Sequence, residues 1–384
     1  MNPAQLKLNL TANTDDPAPG TKTFFSLGFR PFFSFAGVYA VLAMAAWLTW
    51  LALHHNNAVV TTPSFSVAPH LWHGHEMLFG YATAVITGFL LTAMPNWTDT
   101  PALSGRPVIF LAGIWLLGRF VVWFSATLPP LVVAIADLSH LLVLSCFVIH
   151  ALSRKPAPRN LVFIALLLML AFANSAVHAE WIGWRDDTAS WGLSLAVFLF
   201  STMIVIIGGR VVPAFTRNAL MKDGCTRHLP RSYGPLDAIS ILAAVSLVLV
   251  QLASAPGYLM GVVAAVAALT NGARLLLWRG WRRFDQPIVW SLHLGYMMVV
   301  LGYGAVAFSV AGLLDPVAAQ HVLAVGAIGC MTLAIMTRAS LGHTGRALQV
   351  NKSTAFAYVT IALAAGIRAL APAAFPDAYF TIMY

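Results

Sequence analysis

The chain has 384 residues, 59% of them hydrophobic and only 9% charged, with a mean hydropathy of +0.78. A soluble domain carries about 25% charged residues, so the composition excludes a soluble enzyme and requires lipid as part of the solvent. Three cysteines (Cys146, Cys225, Cys330) make no disulfide framework, and the net charge of +9 is explained below without a nucleic-acid partner.

Apolar runs long enough to cross a bilayer lie near 32–53, 77–94, 108–125, 131–149, 161–177, 191–207, 236–253, 257–277, 288–314, 317–336 and 355–371. The expected fold is all-α, a polytopic integral membrane bundle of eleven spans, or twelve if 378–384 opens another helix. Residues 1–30 read as a cytoplasmic N-terminal segment with no apolar stretch of the cleavable-leader type. Residues 31–384 read as a single transmembrane domain, because the longest polar break, 217–235, is only a loop. With the N-terminus in the cytoplasm, every Lys and Arg except Arg119, Arg185 and Arg368 falls on the cytoplasmic side. That is the positive-inside rule obeyed at loop after loop, so the basic charge is topological. Trp47, Trp50, Trp72, Trp123, Trp181, Trp184 and Trp191 then mark the outer interface, and Trp97, Trp278, Trp281 and Trp290 the inner one.

Trp72-His73-Gly74-His75-Glu76 stands at the mouth of the second run, where desolvating imidazoles and a carboxylate is costly. On a regular helix His73 and His75 point apart, while His73 and Glu76 share a face. His75 is therefore expected to face the bundle as a ligand, with His73 and Glu76 as a second site or as its support. The bland alternative is that these groups cap the helix and meet interfacial water. His54, His55, His70, His178 and His321 lie towards the same outer face, and His140 is mid-membrane, three residues from Asp137. Imidazole is the commonest ligand for copper and haem iron, so the outer leaflet is the expected place for a cofactor. His140 has a hydrogen bond to Asp137 as its alternative reading, and His70 and His178 have interfacial solvation.

A weak echo links two inward-running spans: His75 precedes Gly80 by five residues, and His321 precedes Gly326 by five. His75 and His321, with His73 as a substitute for His75, form the expected axial pair of a haem, and His73, Glu76 and His140 form the core of the expected copper set. On the inner face, Arg210 and Arg338 each follow an apolar run and are placed to pair with haem propionates or another anion. For both, inner-interface anchoring is the plainer alternative. His293 and His343 make a lesser metal or proton-relay candidate there.

The blocks Phe29-Arg30-Pro31-Phe32-Phe33, His73 to Pro107, Gly208 to Asn218, Leu292-His293-Leu294-Gly295-Tyr296 and Met336 to Arg346 resemble, in order, the signature regions of the NnrS family of bacterial membrane proteins. The resemblance implies a multi-pass protein of the bacterial inner membrane that carries haem b and copper and takes part in nitric oxide metabolism or nitrosative-stress defence. With no Cys-x-x-Cys-His attachment sequence, the haem would be non-covalent. Histidines on the second and tenth spans of a twelve-helix bundle also resemble the topology of the haem-copper oxidases, but spans 191–207 and 236–253 hold no histidine. An oxidase-type binuclear centre is therefore not expected. Two functions compete: a haem- and copper-dependent protein acting on nitric oxide or a related small molecule, as a redox enzyme would, or a metal or small-molecule permease without redox chemistry.

Overall fold

The computed structural model describes residues 21–56, 64–155 and 158–375. Eleven of its helices are long and apolar enough to cross a membrane: α1 (Phe29–His55), α2 (Pro69–Thr98), α3 (Arg106–Trp123), α4 (Pro130–Arg154), α5 (Pro158–Trp181), α6 (Thr188–Lys222), α7 (Gly234–Leu252), α8 (Gly257–Leu277), α9 (Pro287–Val310), α10 (Pro316–His343) and α11 (Lys352–Ala374). No strand occurs among the described residues. The expected all-α polytopic bundle is thus what the chain forms. Residues 1–20 of the N-terminal segment and the expected start of a twelfth helix at 378–384 lie outside the described residues.

The helix starts follow from local chemistry. Proline occupies the first turn of α2, α3, α4, α7, α9 and α10, where its missing N–H costs nothing and its fixed φ suits the helix. Asp315 and Asn351 cap α10 and α11 by accepting from the backbone N–H of Ala318 and Thr354.

Consecutive helices pack as antiparallel neighbours, and α6 is the hub, touching α2, α5, α7, α9 and α10. Leucines and phenylalanines such as Leu42, Phe120, Leu242 and Leu363 stay exposed on the outer helices, as expected where lipid is the solvent. Two differences from the sequence reading bear on function. The second span begins at Pro69, eight residues before its apolar run, so His73, His75 and Glu76 lie inside a helix and not at its mouth. The tenth continues to His343, which therefore ends a helix and does not sit in the following loop.

Two π-helical stretches interrupt the bundle, at Glu76–Ala82 in α2 and Val322–Gly329 in α10. Each begins at the residue after a histidine, His75 in one and His321 in the other, and each contains the glycine of the echo, Gly80 or Gly326. The sequence echo has a backbone counterpart. π-Helical turns of this kind concentrate at functional sites.

Candidate metal centre

Four helices deliver ionisable side chains to one level of the outer half of the bundle. His75 lies six residues into α2, Asp137 seven residues into α4, Arg119 four residues before the end of α3, and His178 three before the end of α5. At about 1.5 Å rise per residue, all are roughly one to two turns below the outer helix ends. Glycines make room for them. A Cβ at Gly80 would meet the Arg119 guanidinium, and one at Gly118 would press on Asp137.

The contacts are dense. Arg119 donates from Nη1 to Glu76 Oε1 (2.6 Å) and from Nη2 to Asp137 Oδ1. His75 Nδ1 lies 2.7 Å from Glu76 Oε1, and its Nε2 lies 3.1 Å from Asp137 Oδ2 and 2.9 Å from Asn174 Oδ1. His178 Nε2 stands 2.9 Å from the same Asp137 Oδ2, which also accepts from Asn174 Nδ2 at 2.7 Å. His75 and Glu76 are wholly buried, and Asp137, Asn174 and His178 nearly so. The rings of His178 and Trp181 pack around His75.

Charge counting defines what this cluster lacks. Glu76 and Asp137 bring two negative charges to the single guanidinium of Arg119, so with neutral imidazoles one negative charge is left over in a buried site. Such a charge is costly unless a cation or proton meets it. Every oxygen facing His75 is an acceptor, so the ring either carries both protons or gives one nitrogen to a cation. His75, Asp137 and His178 each turn a ligand atom to a common point, all within 4.8 Å of one another. A metal at about 2.0–2.2 Å from imidazole nitrogen and carboxylate oxygen spaces its ligands at roughly 3–3.5 Å, close to the 3.1 and 2.9 Å that separate Asp137 Oδ2 from His75 Nε2 and His178 Nε2. Four further buried atoms, Glu76 Oε2, Arg119 Nε, His140 Nδ1 and His178 Nδ1, have no hydrogen-bond partner, and unsatisfied groups at this density point to a ligand or water.

The other expected site residues are placed as follows. His73 leaves the cluster and stacks on Trp47 of α1, with centroids 4.7 Å apart. Glu76, three residues on, accepts from Arg119 instead. His321 donates Nδ1–H to Val317 O at 2.7 Å, and lies within electrostatic reach of His73 and Arg368. His140 bonds Thr87 Oγ1 through Nε2 at 3.0 Å and not Asp137, and His70 is exposed. At the inner end, Arg210 donates to Asn160 and to the Arg159 carbonyl, Arg338 lies over the Phe215 ring, His293 bonds Thr216 and His343 packs on Phe29. His293 and His343 are held by separate partners. Arg119, Asp137 and Asn174 were not among the expected ligands. Their signal was available: two ionisable residues inside apolar spans, at matching depth from the outer ends.

A sequence model of the family described as NnrS protein matches residues 23–384, nearly the whole chain, and the chain belongs to that family. No curated protein and no solved structure matches it.

Proposed function

We propose that this member of the NnrS family, a family associated with the nitric oxide response, is a metal-dependent protein of the bacterial inner membrane whose centre is held by His75, Asp137 and His178. The observation that carries the reading is the convergence of three ligand atoms on a site with one uncompensated negative charge. Two imidazoles and a carboxylate suit a divalent first-row metal, and copper binds such sets most tightly. Glu76 and Arg119 act as the supporting layer: Glu76 fixes the His75 ring through Nδ1, and Arg119 locks the Asp137 rotamer. Asn174 does the same from α5. When bound, copper would supply one-electron chemistry towards nitric oxide or a related small molecule. The protein supplies burial, orientation and charge balance.

A haem b, held without covalent attachment, suits a different pair. Both nitrogens of His75 are engaged and its ring is enclosed by aromatic neighbours, so it suits a bare ion better than a porphyrin face. His321 has its Nδ1–H committed to a backbone carbonyl, which leaves Nε2 as the lone-pair atom, an arrangement common to iron-ligating histidines. His73 lies beside it with Nδ1 unpartnered, and Arg368 is near both, a suitable propionate partner. The haem assignment is therefore His73 with His321, and Arg210 and Arg338 remain inner-face candidates for an anion.

The competing reading is a proton-coupled permease without redox chemistry, favoured by the His75 ring standing between two carboxylates, as an imidazolium would. Purified protein decides. Copper and a Soret band in the wild type, nitric oxide consumption in the presence of a reductant, and loss of copper in His178→Ala support the redox reading. A colourless, metal-free protein would favour the permease.

A further inference from the structure

The inner rim carries a groove of about 510 Å³, lined by His228, Leu276, Leu277, Arg279, Trp281 and Arg282. It forms where α8 ends in a short 3₁₀ turn, Gly280–Arg283, against the loop that leaves α6. Three features make it more than a crevice between charged side chains.

First, its cations are not neutralised. The acids nearest in the turn and the loop, Asp285 and Asp223, are both taken by Arg283. Among the described residues no hydrogen bond or ion pair occupies the Arg279 side chain. Arg282 is held in place, donating from Nη1 to the carbonyls of Arg227 (3.0 Å) and His228 (3.1 Å). Second, Arg279 and His228 adopt left-handed backbone angles, with φ of 55° and 56°. Side-chain-bearing residues avoid that region, and where it persists it often marks a ligand clamp. Third, the groove borders on lipid. Leu276 is 65% exposed and Trp281 51%, with Phe284 equally open beside them, at the end of a span where indole rings sit at headgroup level.

We propose that this groove binds the headgroup phosphate of an anionic phospholipid of the inner leaflet. The guanidiniums of Arg279 and Arg282 meet the phosphate, while Leu276 and Trp281 lie along the glycerol and acyl chains. Basic pockets on the cytoplasmic side of membrane helices suit such headgroups. The site is independent of the metal centre and of the nitric oxide reading. Gly280, in the same turn, packs against the His293 ring of α9.

The test uses the whole protein in detergent, with native mass spectrometry and thermal melting, and phosphatidylglycerol, phosphatidylcholine and inorganic phosphate as separate probes. The expected result is retention of phosphatidylglycerol and a rise in melting temperature with that lipid alone. Arg279→Gly removes the charge and also relieves the left-handed backbone, so it should fold. It should bind one phosphatidylglycerol fewer, or the same lipid about fivefold or more weakly, as expected for one basic residue at a membrane surface. Equal retention by wild type and Arg279→Gly overturns the proposal, as does equal stabilisation by phosphatidylcholine. Inorganic phosphate matching the lipid would also overturn it in favour of a soluble anion site.

Discussion

Two buried charge networks stand at opposite ends of the bundle, and they are built to different rules. The inner one joins α7, α8 and α9. Arg274 donates from Nε to Asp237 (2.7 Å) and from Nη1 to Tyr296 Oη (2.8 Å), and Tyr296 donates in turn to Asn271 Oδ1 (2.5 Å). One cation meets one anion, the guanidinium also lies over the Trp278 ring, and no fully buried polar side-chain atom of Arg274, Asn271 or Tyr296 lacks a partner. The outer network sets one cation against two anions, leaves four nearby polar atoms unpartnered and points three ligand atoms at one place. A satisfied network holds helices together. An unsatisfied one asks for something more, and the difference between the two is the physical case for a metal in the outer cluster.

The largest expected effect is from removing the outer cation. Arg119→Ala leaves Glu76 and Asp137 without a counter-charge, at a cost on the order of 3–5 kcal/mol. It should sharply lower yield and melting temperature in detergent. Arg274→Ala should cost less, roughly 1–3 kcal/mol, because Asp237 is partly exposed and can meet water. Equal losses in the two variants would dissolve the contrast between the networks. A third variant probes how tightly the inner network is packed. A Cβ at Gly209 would run into the Arg274 guanidinium, so Gly209→Ala should destabilise by about 1–3 kcal/mol through overpacking. A neutral result there would show that Arg274 moves freely.

Metal addition should stabilise only the outer site. Copper at about 100 times its dissociation constant should add roughly 2.7 kcal/mol to the folded state, read as a rise in melting temperature. Chelation should reverse it, and His178→Ala should abolish it. The smallest effect belongs to an exposed pair on the inner surface, Lys155 with Asp99 (2.6 Å). The Lys155 ammonium, by hydrogen bond and charge, holds the Asp99 carboxyl below its ordinary pKa. A depressed carboxylate pKa contributes stability above the unfolded value, and that contribution is lost as pH falls through the folded one. Both groups are exposed, so solvent screens the pair. Lys155→Ala should leave the neutral-pH melting temperature unchanged within error, and a clear drop would mean that the inner surface is more rigid than its exposure implies.

Much of this was legible in the sequence, for reasons that also explain what was not. Span number follows from hydropathy and length, properties local to each run. His75 announced itself as a costly group where an apolar run begins. The rest of the His75 cluster was hidden because it comes from three other helices, and no periodicity within α2 reveals which faces of α3, α4 and α5 gather there. Arg119 and Asp137 were visible as ions inside apolar spans, yet their pairing is a tertiary fact. Glu76 and His73 show the same limit: the carboxylate meets Arg119 of α3 while the imidazole stacks on Trp47 of α1, and neither partner is written in the spacing of α2. His140 shows the converse: its sequence neighbour Asp137 was the natural partner, but a competing arginine and two other histidines claim that carboxylate, and His140 turns to Thr87.

The central claim is best tested by metal content in Asp137→Asn. The substitution is isosteric and leaves Arg119 balanced against Glu76 alone, so the cluster becomes neutral and the protein should fold with wild-type yield. Elemental analysis of protein purified from copper-supplemented cells should give about one copper less per chain than the wild type. The haem spectrum should be unchanged, because the His73 and His321 side remains intact. Wild-type copper content in a folded Asp137→Asn protein would contradict the account.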